Sequence, residues 1–194
     1  MSGNTSATGG YLAPSSGPMT QRQVEDALQG MVVGITGLAG QFVRPRWQPF
    51  PPKQPEHSVS WCSIGVTSWG GKNFASVQHQ SAGNGQDVVT VQEDLEVMAS
   101  FYGPSAMDLA RRLRQGLAVE QNRAALRASG LALASVGALL NIPEIINNAW
   151  VQRVDLGLTV RAEALSAYPV LNLLDVPGSI EDASGLSVNF IPLT

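Results

Sequence analysis

The sequence predicts an α/β domain of the α+β type, in which an antiparallel or mixed β-sheet carries helices on one side and an extended tail continues from each end. Residues 95–102 and 150–166 alternate apolar and polar side chains, which is the pattern of a strand with one buried face. Such strict alternation is typical of antiparallel sheets. Gly103-Pro104 ends the first strand, and apolar residues then follow at helical spacing over 106–117.

Composition restricts the classes of function. Of the 194 residues 44% are hydrophobic, which is enough for a core. Only 14% are charged, which is low against the ~25% of an average soluble chain and indicates that subunit interfaces cover much of the surface. The net charge of −3 does not favour general nucleic-acid binding. The single cysteine, Cys62, excludes an internal disulfide and fits a reducing compartment.

The chain is expected to consist of a tail over residues 1–19, one domain over 20–175 and a second tail over 176–194. The tails contain too few apolar residues to fold alone. The N-terminus has neither the basic start nor the apolar run of a signal peptide, and the longest apolar stretch, 131–142, is too short to span a bilayer. We therefore expect a soluble protein that is intracellular when made.

The first half of the domain predicts a helix, a proline-rich segment and paired strands. The helix covers 20–35, with Thr20 as its N-cap and Gln23 three residues later. Gly34, Gly37 and Gly40 do not form a dinucleotide site, because a helix and not a strand precedes them. The elements expected next are strands at 59–69 and 73–80 and a hairpin turn at Asn84-Gly85.

The second half predicts further helices and strands. Ser105 and Asp108 indicate a capping box before the helix of 106–117. A second helix covers 120–129 and ends at Gly130. The remaining expected elements are a buried strand or turn at 131–140, a short helical turn from Asn141 to Asn147 or Asn148, the long strand at 150–166, a last short strand at 170–174 and a turn at 175–178.

No group of residues has the pattern of a catalytic or metal site. Cys62 has no histidine near it in sequence and no cationic cluster beside it, so a buried structural thiol is predicted. His57 and His79 lie outside any motif, and one cysteine with two separated histidines does not supply the usual zinc ligands. We therefore predict neither an enzyme nor a cofactor. The alternative is a hydrolase built around Cys62 or His79, and full function after replacing both residues would exclude it.

Two features are candidate interfaces. The proline-rich segment 42–55 mixes tryptophan with arginine, the residues that dominate interface hot spots, although it could instead be a connector whose Trp47 fills the domain's own core. The basic side of the 106–117 helix and the acids of the preceding strand are either solvated or complementary between subunits. The candidate interface residues are Arg44, Arg46, Trp47, Phe50, Glu93, Asp94, Glu96, Arg111, Arg112 and Arg114.

Four segments in combination resemble a known family. They are GITGLAGQFVRPRWQPFPPKQP at 34–55, SFYGPSAMDLARRLRQGL at 100–117, EQNRAAL at 120–126 and the run at 149–173 that contains RVD. In this order, with Trp61-Cys62 after the first, they resemble the neck or tail terminator proteins of contractile-tailed bacteriophages. The resemblance covers about residues 20–175, a domain-sized span. It departs from the family in LRQGL, where Gln115 stands in place of an acid.

The resemblance implies a structural subunit of the virion. Terminators form a ring, usually hexameric, that caps the tail tube at full length and then docks onto the head-side connector, while DNA passes through without sequence-specific binding. The implied partners are copies of the chain, the tail tube protein, the connector or stopper and sheath subunits, with no membrane. Assembly would take place in the host cytoplasm. The alternative is an adaptor that binds a partner through 42–55, in which case deleting that segment abolishes one binary interaction and leaves assembly intact.

Overall fold

The computed structural model describes residues 4–48, 50, 52–71, 74–146 and 148–173, together with the backbone of 178–181 and 187–190. The elements follow in chain order: α1 (Gln21–Thr36), a 3-10 turn (Gly40–Phe42), β1 (Val43–Pro45), β2 (Trp61–Gly71), β3 (Ser76–Gln80), β4 (Gln86–Tyr102), α2 (Ala106–Gly116), α3 (Glu120–Ala128), β5 (Leu131–Asn141), β6 (Glu144–Ile146), β7 (Ala149–Val151), β8 (Arg153–Tyr168), β9 (Gly178–Glu181) and β10 (Ser187–Phe190).

The chain forms two compact units. The larger unit contains Gly17–Ser76 and Thr90–Leu165. The smaller unit contains Met1–Ser16, Val77–Val89 and Ser166–Thr194.

The main sheet is mixed, as predicted. Its strand order is β1-β2-β4-β8-β5, with β3 paired to β4, and β1 runs parallel to β2 while β2–β4 and β5–β8 are antiparallel. The alternating stretch 95–102 lies in β4 and residues 153–166 of the second stretch lie in β8, where burial of the predicted residues confirms the period-2 pattern. These buried residues are Leu95, Val97, Ala99, Phe101, Val154, Leu156, Leu158, Val160, Ala162 and Ala164. The strand predicted at 150–166 is interrupted at its start, because Trp150 and Val151 belong to β7 and Gln152 separates them from β8.

The helices of the larger unit pack on one side of the sheet, which confirms the predicted fold class. Apolar residues of α1, α2 and α3 join those of the sheet in one core. Thr20 caps α1 in a capping box with Gln23, and Gly37 ends the helix in the left-handed conformation, with φ 77°. The other side of the sheet, which we call the open face, carries the polar residues that alternate with the core residues of β4 and β8.

Two local predictions were wrong. Ser105 forms no capping box, because its side chain makes no cap hydrogen bond and its backbone N–H donates to Ser60 Oγ at 3.0 Å. The segment from Asn141 to Asn148 is not a helical turn, since Glu144–Ile146 and Ala149–Val151 pair as the β6–β7 hairpin with Asn148 at φ 60°.

The strand β5 differs from its prediction as well. It lies at an edge of the sheet and is mostly exposed, instead of buried. Its register with β8 shifts by one residue between Leu133 and Ser135 and again between Val136 and Leu139. These two bulges turn Leu131, Leu133, Val136 and Leu139 towards the core at irregular spacing.

In the smaller unit, the N-terminal segment follows the chain that leaves β8. Ser15 N–H donates to Ala167 O at 2.8 Å, and Leu171 N–H donates to Ser6 Oγ at 2.8 Å. Residues 170–173 form no strand, contrary to the prediction. Three parts of the predictions lie outside the described residues: residue 174, residues 175–177 of the predicted turn and much of the C-terminal tail. Within that tail, β9 and β10 pair as an antiparallel hairpin.

His79 of the smaller unit is held between two hydrogen-bond acceptors. Asn172 Nδ2 donates to the carbonyls of Ser81 and Gly83, at 3.0 and 3.1 Å, so its Oδ1 faces His79 Nε2 at 3.0 Å. Asp87 Oδ1 lies 2.7 Å from His79 Nδ1. An acceptor at each ring nitrogen favours the charged imidazolium, in which both nitrogens donate.

We expect His79 to titrate above its ordinary pKa of about 6.5. The hydrogen bond to Asp87, and after it the one to Asn172, raises the pKa of His79. The charged His79 stabilises the folded protein. This contribution is fully present at pH values below the ordinary histidine pKa and is lost as pH rises through the raised pKa of His79. An NMR titration of the ring in the wild type and in Asp87→Asn measures this, and the substitution should lower the pKa. A wild-type His79 that titrates at or below 6.5 would contradict the charged form.

Candidate interaction site

The segments that stand out in the sequence meet at one end of the open face. Trp61 of β2 and Tyr102 of β4 are register partners, and their rings stack with centroids 4.3 Å apart and an interplanar angle of 9°. The guanidinium of Arg44 lies 5.6 Å from the Trp61 ring, and that of Arg153 lies 5.7 Å from the Tyr102 ring. These four residues, from β1, β2, β4 and β8, form what we call the aromatic ladder. Stacking and cation–π contacts therefore join four neighbouring strands.

A buried ion pair ends the aromatic ladder on β8. Arg153 donates to both carboxylate oxygens of Asp155, from Nε at 2.8 Å and from Nη2 at 2.7 Å, and also to Glu144 of β6. The Asp155 side chain is only 7% exposed and that of Arg153 17%. Hydrogen bonding to Asp155 raises the pKa of Arg153 above its ordinary range, so the guanidinium stays charged. The pair ties the β6–β7 hairpin to the main sheet.

The FYGP turn holds Tyr102 in place. Burial raises the pKa of Tyr102, so the phenol stays neutral while it packs between Trp61 and Arg153. Gly103 follows with φ 91° and donates its N–H to Gln152 O at 3.0 Å. A Cβ on Gly103 would lie 2.5 Å from Val59 O, so only glycine fits this turn.

The proline-rich segment lies beside the aromatic ladder. Arg46 Nη1 donates to Ser100 Oγ at 3.0 Å, and the Arg46 side chain covers Gly65. Trp47 does not fill the core: it is 60% exposed, and its indole N–H donates to Val66 O at 3.2 Å. Phe50 is exposed. Of the predicted interface residues, Arg44 and Arg46 thus support the sheet, while Trp47 and Phe50 are available to other molecules.

The three acids predicted as an interface lie along β4 and have contacts within the chain. Glu93 accepts from Trp69 Nε1 at 2.8 Å, Asp94 pairs with Arg161 at 3.0 Å, and Glu96 accepts from Thr159 Oγ1 at 3.2 Å. By the alternation of β4, Asp94 and Glu96 lie on the open face.

The three arginines of α2 differ from one another. Arg112 Nη1 donates to Thr36 O at 2.7 Å and so satisfies a carbonyl at the end of α1. Arg111 and Arg114 are exposed, and within the part of the chain that the structure describes neither side chain has a hydrogen bond or an ion pair. They border an open recess with Gln115 and Leu139.

Cys62 lies in the core, directly below the aromatic ladder. It is fully buried, and burial, followed by the negative charge of Asp155, raises the pKa of its thiol. The thiol therefore stays protonated and lacks the activation that a nucleophilic cysteine needs. The described residues contain no group of three or more His, Cys, Asp or Glu that could hold a metal ion. None of the described helices is long and apolar enough to cross a membrane.

Comparison with protein families identifies the chain. The family model described as phage neck terminator protein matches residues 22–184. The chain belongs to this family. A search of the curated proteins finds no match. As a phage neck terminator, the chain is a structural component of the virion neck and interacts with other neck and tail proteins.

The aromatic ladder and its ion pair in this neck terminator contain four residues that the sequence did not indicate as site residues. Tyr102, Arg153, Asp155 and Glu144 complete the aromatic ladder and its ion pair. The signal that could have found three of them was their position inside the FYGP and RVD segments, next to WC. The WC, FYGP and RVD segments indicate the family only in combination, and the structure places them next to one another at the aromatic ladder.

Proposed function

We propose that this neck terminator closes into a ring, the hexamer that the family resemblance implies. The ring caps the completed tail tube and joins it to the head-side connector. The distribution of charge within the larger unit carries the proposal. Arg111 and Arg114 present positive charge on the helix side. Asp94, Glu96 and Glu163 present acids on the open face, with Arg161 among them.

Opposite charges on two sides of one subunit favour contact between the helix side of one copy and the open face of the next. Such a contact joins two different surfaces, so it is heterologous, and repeated heterologous contacts close into a ring when the rotation permits. The low charged fraction of 14% is consistent with a surface that is largely covered in the assembly.

A ring in the neck would also contact the layers above and below it and the DNA that passes through it. The exposed Trp47 and Phe50 offer apolar anchors to an adjoining layer, which we propose to be the tail tube, the connector or the sheath. The net charge of −3 suits a conduit for DNA, because a strongly basic lining would retain DNA through phosphate contacts. Assembly is proposed to take place in the host cytoplasm before the ring enters the virion.

Reversing two charges tests the ring contact. Arg111→Glu with Arg114→Glu should weaken subunit association at least about tenfold, or ~1.4 kcal/mol, because like charges would then face each other. Arg112 stays unchanged, since it satisfies the end of α1. Native mass spectrometry at low salt measures the oligomer.

Two further variants complete this test. Lys53→Glu reverses an exposed charge that lies outside the helices, and it should leave the oligomer unchanged. Adding Glu96→Lys with Glu163→Lys to the α2 double variant should restore association. An oligomer of wild-type size from the α2 double variant would contradict the charge contact.

A further inference from the structure

An apolar groove runs between α1 and α3 on the helix side of the larger unit. Its volume is about 320 Å³. Its lining residues are Ala27, Gly30, Met31, Gly34, Ile35, Asn122, Ala125, Leu126 and Ser129. Small residues leave space in it, and Met31, Ile35 and Leu126 make it apolar.

Packing within the described part of the chain does not require two glycines of the groove. Gly30 and Gly34 lie one turn apart in α1, and a Cβ on either would meet nothing within 4 Å. Glycine is unfavourable inside a helix, and neither residue needs a positive φ. Gly116 is different, because its Cβ would collide with Ile35, so packing within the chain requires it. Gly30 and Gly34 keep open a space that the described chain does not occupy.

An apolar projection lies on the other side of the same unit. Ile145 and Trp150 are opposite each other in the β6–β7 hairpin, so their side chains share one face, and they are 63% and 71% exposed. The other face of the hairpin holds Glu144, which pairs with Arg153 on the open face. Ile145 and Trp150 therefore point away from the sheet, and we call them the Ile145–Trp150 knob. An exposed tryptophan supported on a hairpin is typical of an interface hot spot.

We propose that the Ile145–Trp150 knob of one subunit docks into the α1–α3 groove of the next copy, an inference that rests on the proposed ring. Charge complementarity selects this occupant. The groove shares the helix side with Arg111 and Arg114, whose side chains have no partner among the described residues. The hairpin that carries the knob contacts the open face through Glu144 and Arg153, and that face also carries Asp94 and Glu96. One head-to-tail orientation therefore brings both the opposite charges and the apolar surfaces together.

The size of the two surfaces defines the role of this contact. A buried aromatic side chain covers roughly 150–250 Å². A stable interface needs about 800 Å² on each partner. The knob and groove are therefore the anchor of a larger contact. The charged surfaces contribute the remaining area of that contact and fix its orientation.

The test uses a groove variant and a knob variant of the full chain. Gly30→Leu with Gly34→Leu obstructs the groove, and Trp150→Ser removes the anchor of the knob. Ala124→Leu, at an exposed position of α3 that does not line the groove, is the matched control. Native mass spectrometry reports ring formation and thermal unfolding reports the stability of the subunit.

The groove variant should lose the ring while the Tm of the subunit stays equal or rises by roughly 2–4 °C per glycine replaced, since leucine is a better helix former and its Cβ meets no atom within 4 Å. The knob variant should lose the ring at unchanged subunit Tm, and the control should keep both. An equimolar mixture of groove and knob variants should give one-to-one pairs without rings, because one intact knob still finds one intact groove.

The possible failures are distinguishable. Rings of wild-type size from either variant overturn the docking and leave the proposed function standing. Intact rings that no longer join the tube or the connector assign the knob to an adjoining layer and also overturn docking between copies. If the groove variant does not fold, the knob variant alone decides, because Trp150 is exposed. If the wild-type chain is monomeric both as the purified protein and in isolated phage necks, the proposed ring is wrong, and so is the docking between copies.

Discussion

Arg153→Met is expected to destabilise the neck terminator by about 3 kcal/mol, because it leaves the carboxylate of Asp155 buried without its partner. The substitution also removes the cation–π contact with Tyr102 and the link to Glu144. Urea unfolding followed by circular dichroism measures the loss. Replacing both members of the pair, Arg153→Met with Asp155→Leu, should recover most of it, since no buried charge then remains.

The matched control for this prediction lies on the same strand. Arg161 pairs with Asp94 at 3.0 Å, but the Arg161 side chain is 45% exposed and that of Asp94 is 14% exposed, against 17% for Arg153 and 7% for Asp155. Arg161→Met should therefore cost no more than about 1 kcal/mol. Equal losses from the two single variants, or a double variant no more stable than Arg153→Met, would show that burial of the Arg153–Asp155 pair does not determine its energy.

Gly103→Ala is expected to destabilise the protein by about 3 kcal/mol, through backbone strain and a steric clash together. The residue has φ 91°, and the added Cβ would lie 2.5 Å from Val59 O and 2.9 Å from Ser60 Cα. Relief requires the FYGP turn to move away from β2, which would separate Tyr102 from Trp61. The same unfolding measurement, with near-ultraviolet circular dichroism of the stacked rings, detects both effects.

Gly37→Ala separates strain from clash. Gly37 has φ 77°, and a Cβ there meets nothing within 4 Å, so only the strain of the left-handed conformation applies. We expect a loss of about 1 kcal/mol. If Gly103→Ala costs no more than Gly37→Ala, the close approach to Val59 and Ser60 is not what requires glycine.

The sequence was sufficient for those elements whose burial follows a regular period. In β4 and β8 each buried residue is followed by one on the open face, so the alternation could be read without tertiary information. The capping box at Thr20 was equally local, since both hydrogen bonds join residues three apart. The capping box predicted at Ser105 was wrong, because the backbone N–H of Ser105 donates to Ser60, a residue distant in sequence.

Irregular elements needed the structure. The core residues of β5 are spaced by two, three and three because of its bulges, a pattern that fits neither a strand nor a helix. Asn148 in the left-handed conformation joins β6 to β7, and consecutive asparagines were the available signal for a turn there. The aromatic ladder depends on the register of Trp61 against Tyr102, which a single sequence does not reveal. The interface residues stay a prediction.

The hydrogen bonds of the smaller unit have a consequence for folding. Ser15 bonds to Ala167 and Ser6 to Leu171, contacts that span more than one hundred and fifty residues of chain. Pairing of such distant segments is slow, because the loop-closure entropy must be overcome first. During synthesis the N-terminal residues emerge first and must wait for almost the whole polypeptide before their partners leave the ribosome. This unit should therefore close last, and it should exchange its amide hydrogens faster than the central strands.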